Sequence, residues 1–129
     1  MATGFPAATG DVLTANMFNG LTSFTVGTAN TADYTAVSAD QYQVLELMNK
    51  ATAIAFKIPT NASVAFPIGT ALTVLNIGAG VCTISAVTSG TTTILSAGAV
   101  AASPTLAQYK SAVCIKTGTD TWYVVGGIA

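Results

Sequence analysis

The feature that most limits the possible folds of this chain is a long segment without charge. No charged side chain occurs from residue 58 to residue 109, although the segment is rich in Thr, Ser, Gly, Asn and Pro. A membrane-spanning helix needs about 20 predominantly apolar residues in a row. Here every apolar run is broken within a few positions by a polar residue or a glycine. The segment therefore predicts short strands and turns, and no membrane span.

Charge is scarce throughout the 129 residues, which include four lysines, five acidic residues and no histidine. A small domain normally carries about a quarter of its surface as charged residues, whereas charged residues make up 7% of this chain. We therefore expect other subunits to cover much of its exterior. Four lysines form no basic patch, which argues against nucleic-acid binding. Two cysteines without histidine make a poor metal site, and we expect no metal or cofactor.

Residues 1–32 differ in pattern from the rest of the chain. Thr14 is a candidate N-cap, and apolar residues follow it at near-helical spacing, which predicts a short helix over residues 15–24. The segment contains no secretion signal, so we expect the chain to begin in a cytoplasm. We interpret residues 1–32 as an arm ending in a linker over 26–32. Its helix either packs on its own domain or docks onto a neighbouring subunit.

Residues 33–129 read as an all-β domain. Strand-length segments alternate with turn residues at short spacing, which is typical of an antiparallel β-sandwich or barrel of about seven or eight strands. β-branched residues support this prediction because they pack well on a pleated surface. We predict strands at residues 33–37, 43–48, 53–58, 71–77, 81–87, 92–96, 111–116 and 121–125.

Two turns are predicted to close hairpins, one at residues 78–80 and one at residues 117–120. The first, Gly78-Ala79-Gly80, has glycines that can supply the positive φ of a tight turn. Side-chain alternation also suggests which strand faces are buried. In the strand over 111–116 we expect Val113 and Ile115 to face the core. In the strand over 43–48, the face with Glu46 is apolar enough to meet a partner.

The polar residues give little support to an enzyme. A hydroxyl nucleophile needs an activating base, and no such pairing is visible. The candidates for a glycosidase pair or a Ca²⁺ site are Asp33, Asp40 and Glu46. The stronger interpretation is structural, with Asp40 binding backbone amides in a turn and Glu46 pairing with a lysine across a strand. A lyase or hydrolase therefore lacks a supporting constellation, and the two cysteines are expected to be reduced and buried.

The aromatic residues offer the best candidates for surface recognition. Tyrosine and tryptophan combine a large contact area with a polar group. Trp122 follows a turn at the start of a strand, which favours a place in the core. The remaining candidates for contact with a sugar or another surface are Tyr34, Tyr42, Tyr109 and Tyr123.

Several short motifs carry a resemblance to a known class of proteins. Residues 10–15, Gly-Asp-Val-Leu-Thr-Ala, with Asn19, resemble a segment near the start of many tailed-bacteriophage virion proteins. Downstream, residues 33–35, 58–70, 78–80 and 118–122 are similar to a small β-domain of phage fibres and decoration proteins. The resemblance implies a non-enzymatic virion component, either a capsid decoration or cement protein or a small head fibre. It also implies a symmetric homo-oligomer, a trimer.

The leading hypothesis combines the arm with this resemblance. The arm would anchor the protein to a major capsid or tail protein of a virion assembled in the bacterial cytoplasm. The alternative is a tail fibre or a receptor-binding module that contacts a host-surface glycan through its tyrosines. The apolar residues assigned to the anchor are Phe5, Val12, Leu13, Met17, Phe18, Leu21 and Phe24.

Overall fold

The computed structural model describes residues 23–128, which form eleven β-strands and one short 3-10 helix. The helix spans Ser38–Gln41. The strands are β1 Thr25–Val26, β2 Tyr34–Thr35, β3 Val44–Met48, β4 Ile54–Ile58, β5 Ala71–Asn76, β6 Cys82–Ala86, β7 Thr93–Ser96, β8 Ala99–Val100, β9 Thr105–Leu106, β10 Ser111–Gly118 and β11 Thr121–Gly126.

The strands form two mixed sheets. The larger sheet has the order β1-β3-β5-β10-β11-β7-β8, and the smaller sheet has the order β2-β4-β6-β9. Among these described strands, five of the nine pairings are parallel and four are antiparallel. The all-β prediction agrees with this architecture. The prediction of an antiparallel arrangement is not confirmed.

Four of the five parallel pairings arise because the first six strands alternate between the sheets. β1, β3 and β5 lie side by side in the larger sheet, and β2, β4 and β6 lie side by side in the smaller one. The chain therefore winds as a coil whose turns are β1–β2, β3–β4 and β5–β6. Leu45 pairs with Thr73, and Ile54 pairs with Cys82. Both offsets are 28 residues (73 − 45 and 82 − 54), so the second and third turns stack in register.

This winding overturns the hairpin predicted at residues 78–80. β5 and β6 lie in different sheets, and the segment between them crosses from one sheet to the other. Gly78 and Gly80 do not have positive φ. A Cβ on Gly80 would overlap the carbonyl oxygen of Thr52, and one on Gly78 would overlap the backbone of Lys50. Glycine is needed here because two stacked crossovers approach closely. The other predicted hairpin, joining β10 to β11, is present.

One hydrophobic core includes buried residues from both sheets. Trp122 is its largest side chain and contacts Phe66 edge to face, with ring centroids 5.7 Å apart. The prediction that Trp122 lies in the core is therefore confirmed. Cys82 and Cys114 are also fully buried in this core and are not joined by a disulfide, as expected for small hydrophobic residues.

The predicted faces of two strands are reversed in the structure. In β10 the buried residues are Ala112, Cys114 and Lys116, whereas Val113 and Ile115 lie on the outer face. In β3, Glu46 and Met48 point inward. Side-chain alternation shows which residues share a face but not which of two apolar faces is buried. In the structure, Glu46 and Lys116 point into the core, where polar groups contact them.

Lys116 is held by oxygen acceptors at one end of the core. It is 2% exposed, and its Nζ donates to Asn61 Oδ1 at 2.6 Å and to the Phe66 carbonyl at 2.7 Å. The Asn61 N–H donates to Asp120 Oδ1 at 2.8 Å. A buried ammonium requires such hydrogen bonds because desolvation is costly. They fasten the loop after β4 to the β10–β11 hairpin.

Candidate subunit interface

The outer surface of the larger sheet is apolar and uncharged. Side-chain alternation and strand register determine its members. In the described part of the chain, the outward positions carry no charged residue. We call this surface the neutral face. Its residues are Val26, Leu45, Leu47, Ala71, Thr73, Leu75, Thr93, Leu95, Val100, Ser111, Val113, Ile115, Thr121, Tyr123 and Val125.

The apolar residues of the neutral face lie in continuous rows across the strands. One row is formed by register neighbours that span β1, β3, β5, β10 and β11, namely Val26, Leu45, Thr73, Val113 and Val125. A second row crosses β5, β10, β11, β7 and β8 through Ala71, Ile115, Tyr123, Leu95 and Val100. Tyr123 and Val125 are 45% and 49% exposed, and Val100 is 70% exposed. The face therefore leaves substantial apolar area uncovered in the single subunit.

The outer surface of the smaller sheet has a different character. Its outward positions carry mainly hydroxyl groups and one lysine, and we call this surface the polar face. Lys57 lies 3.9 Å from the carboxylate of Asp33, and both groups are well exposed. The two sheets therefore present outer surfaces of different chemical character. The residues of the polar face are Thr35, Ala55, Lys57, Thr83, Ser85 and Thr105.

Charge is segregated to the inside of the larger sheet. Within its described strands the charged residues are Glu46 and Lys116 alone, and both point into the core. Glu46 is 5% exposed and Lys116 is 2% exposed. Burying a charge is unfavourable compared with leaving it in water. A strand that faced water would be expected to show the opposite arrangement, so this distribution favours a covered outer surface.

The size of the neutral face can be compared with that of known interfaces. Seven strands about 4.8 Å apart, each presenting about five residues of 3.3 Å, give a plan area of about 500 Å². The largest apolar patch on a typical monomer is about 300–600 Å² and is often functional. A stable contact buries about 800 Å² per partner. The neutral face alone therefore supplies more than half of such an interface.

The edges of both sheets are blunted. In the described part of the chain, each edge strand, β1, β2, β8 and β9, is two residues long. Very short edge strands are a common means of preventing edge-to-edge pairing between proteins. A partner would therefore contact a face of this domain and would not extend its sheets.

An open groove lies in the neutral face near β8. It has a volume of about 220 Å³ and is lined by the β7–β8 hairpin and by β11. Leu95, Val100, Tyr123 and Val125 contribute its apolar walls. The groove is large enough to receive side chains of a neighbouring subunit.

The four tyrosines predicted for surface recognition do not form one site. Tyr34 is half-buried, and its hydroxyl donates to Asp40 Oδ2 at 2.7 Å. Tyr123 lies on the neutral face. Tyr42 and Tyr109 are 69% and 75% exposed. They precede β3 and β10, which run in opposite directions beside β5, so these two tyrosines lie at opposite ends of the sheet.

Most residues assigned to the anchor lie outside the described residues. Phe24 is the exception, and it is 56% exposed immediately before β1. The predicted helix over residues 15–24 also lies outside them, apart from Ser23 and Phe24, which are not helical. The predicted linker over residues 26–32 begins within β1. The anchor residues that lie outside the described part of the chain are Phe5, Val12, Leu13, Met17, Phe18 and Leu21.

The carboxylates singled out in the sequence have structural contacts. Asp33 Oδ1 accepts the Ala55 N–H at 2.9 Å on the surface. Asp40 Oδ2 accepts the Val37 N–H at 2.8 Å, as expected for a turn residue. Glu46 does not pair with a lysine. It contacts Asp40, and burial followed by this contact raises the pKa of Glu46 to about 7. Asp40 and Glu46 were weighed as a carboxylate pair from the sequence, but separate structural roles were preferred.

The described residues also provide few reactive groups. Burial raises the pKa of the Cys82 thiol to about 11 and that of Cys114 to about 12. Both thiols are therefore protonated at neutral pH and are poor nucleophiles and metal ligands. Among residues 23–128, no group of three or more Cys, Asp or Glu side chains is arranged to hold a metal ion.

Comparisons with protein-family models, curated proteins and solved structures give no match to this chain. The resemblance to phage virion proteins therefore stays a prediction. In the part of the chain that the structure describes, no helix has the length and apolar character needed to cross a membrane.

Proposed function

We propose that this protein is a non-enzymatic structural component of a tailed-phage virion and works as a homo-oligomer, a trimer. The observation that carries the proposal is the difference between the two outer surfaces of the domain. The neutral face is apolar and uncharged, whereas the polar face carries hydroxyl groups and an exposed ion pair. Two further copies suit the neutral face, because uncharged surfaces that face a common three-fold axis meet without desolvating any ion. The blunted sheet edges favour this face-to-face contact.

The architecture fits such a role. The shared core supports packing of the two sheets as a β-sandwich, a frequent architecture among rigid binding domains. A closed cyclic oligomer matches the symmetric sites of a virion. In this proposal the polar face remains in solvent. Residues 1–24 provide the anchor to a major capsid or tail protein, and the assembled protein acts as a capsid decoration or cement protein or as a small head fibre.

Mass spectrometry of purified particles tests the virion role. Particles from an infected or induced host should contain the protein at a copy number that is a multiple of three. Deleting residues 1–24 should leave a folded oligomer that no longer joins the particle. Absence of the protein from purified particles would contradict the virion role. Normal incorporation of the deletion variant would contradict the anchor.

A receptor-binding or glycan-binding module is the second candidate, favoured by the exposure of Tyr42 and Tyr109. Exposed tyrosines frequently make contacts in recognition surfaces. A glycan array probed with the full chain would support this function if specific binding is lost on Tyr109→Ala or Tyr42→Ala. Uniform lack of binding would favour the purely structural role.

A further inference from the structure

Two buried carboxylates meet beneath the first turn of the coil. Asp40 comes from the 3-10 helix and Glu46 from β3, and each is 5% exposed. Two donors, the Tyr34 hydroxyl and the Val37 N–H, reach the same oxygen of Asp40. Asp40 and Asn30 lie within hydrogen-bonding reach of the Glu46 side chain. Two carboxylates in hydrogen-bonding contact must share a proton if they are not both to carry charge.

Among residues 23–128, the groups that interact with the Glu46 carboxylate include no cation. Tyr34 of β2 and Asp40 of the 3-10 helix are the titratable groups that face Glu46. The strands β1 and β5, which flank β3, carry no charged residue. Within residues 23–128 the ion pair found is Lys57 with Asp33, on the polar face. Ionisation of both carboxylates would therefore place two uncompensated negative charges in contact.

The first turn of the coil, next to the carboxylate pair, is held to the rest of the fold by short strands. β1 and β2 are two residues long, and within residues 23–128 each pairs with a single strand, β3 and β4, respectively. The backbone bonds that hold this turn to β3 include Thr25 N–H to the Gln43 carbonyl at 2.8 Å and Gly27 N–H to the Leu45 carbonyl at 3.1 Å. Segments with few buried contacts open at lower free energy than the core.

We propose that Asp40 and Glu46 form a pH-sensitive latch on the first turn of the coil, residues 23–43, which is closed by one shared proton and loosened when that proton is lost. The inference rests on the geometry of residues 23–48. It does not depend on the proposed virion role or on the neutral face.

The direction of the pH effect follows from the raised pKa of Glu46. Its pKa rises from 4.5 to about 7 on folding, chiefly because of burial and secondly because of Asp40. The closed turn therefore binds a proton that the open turn has lost between these two values. Closure is strongest at low pH, and its stability falls as pH rises from about 4.5 to about 7. Above that range the loss is complete.

Hydrogen exchange of the full chain at pH 6 and pH 8, corrected for the intrinsic exchange rate, tests the latch. With the two pKa values above, the opening equilibrium of the first turn should increase about tenfold from pH 6 to pH 8. Peptides covering residues 23–43 should lose protection by this factor. Peptides from β6, which lies elsewhere in the core, should not change, and they serve as the internal control.

Glu46→Gln supplies the decisive variant because it keeps the size and hydrogen-bonding ability of the side chain. The variant should abolish the pH dependence in residues 23–43. If it folds poorly, Asp40→Asn, which keeps an oxygen acceptor for Tyr34 and Val37, should also reduce the dependence. Equal protection of the wild type at both pH values would overturn the latch. So would an unchanged pH dependence in both variants.

Discussion

A single negative charge placed on the neutral face should dissociate the oligomer without unfolding the subunit. Val125→Glu is the most informative change, since Val125 is 49% exposed in the subunit and lies beside Val113 at the end of an apolar row. The matched control is Thr83→Glu on the polar face. Both changes replace a β-branched residue within a strand, so their effects on strand propensity should be similar.

The expected magnitude follows from the surroundings of each site. In the free subunit the new carboxylate reaches water, and the free energy of unfolding should change by no more than about 1 kcal/mol. In the oligomer the neutral face offers no cation, and an unpaired buried charge costs about 3–5 kcal/mol. Since about 1.4 kcal/mol corresponds to a tenfold change in Kd, association should weaken by about 100-fold to 3,000-fold.

Sedimentation velocity over a range of concentrations, together with urea unfolding, separates the two effects. The Val125→Glu protein should sediment as a folded monomer at concentrations at which the wild type and Thr83→Glu remain oligomeric. Unchanged association of Val125→Glu would show that the neutral face is not the interface. Dissociation of the Thr83→Glu control alone would assign the contact to the polar face.

Three further predictions concern the fold. In urea titrations, Gly80→Ala should lower the free energy of unfolding by more than about 3 kcal/mol, because the new Cβ would overlap the Thr52 carbonyl. The control is Gly118→Ala, where a Cβ fits at ordinary distance. It should change the free energy of unfolding by less than about 1 kcal/mol. Lys116→Met should lower the free energy of unfolding, measured by thermal unfolding, by about 2 kcal/mol because two oxygen acceptors lose their donor. A variant as stable as the wild type would contradict this prediction. The two buried thiols should react with a thiol reagent at neutral pH only after unfolding, and rapid labelling of the native protein would show that they are accessible.

Local sequence patterns predicted the strands well but not their connections. Each of the eight predicted strands overlaps an observed strand, whereas three two-residue strands, β1, β8 and β9, were missed. The second and third turns stack at an offset of 28 residues, which is within the range of periods typical of coiled architectures. Between residues 44–58 and 72–86, however, only Leu47 with Leu75 and Ala51 with Ala79 are identical. The repeat is therefore too weak to recognise, and the glycines at 78 and 80 resemble those of a hairpin.

A partner-facing apolar surface was predicted on the strand over residues 43–48, but it was assigned to the face that carries Glu46, which is buried in the structure. Alternation shows which residues share a face but not which face is buried when both are apolar. Glu46 and Lys116 are both buried, although charged residues are almost never fully buried unless they are paired. Their inward placement depends on contacts with Asp40 and Asn61. Asp40 lies in the 3-10 helix that precedes β3, and Asn61 is distant in the chain from Lys116. Such partners can be identified only after the two sheets have been placed together.

Sedimentation equilibrium of the full chain tests the central claim most directly. We predict a mass close to three times the 12.9 kDa of the single chain, maintained on dilution until a single dissociation step appears. A mass of 12.9 kDa at every accessible concentration, with no tendency to associate, would contradict the claim that copies of this protein cover its uncharged surface.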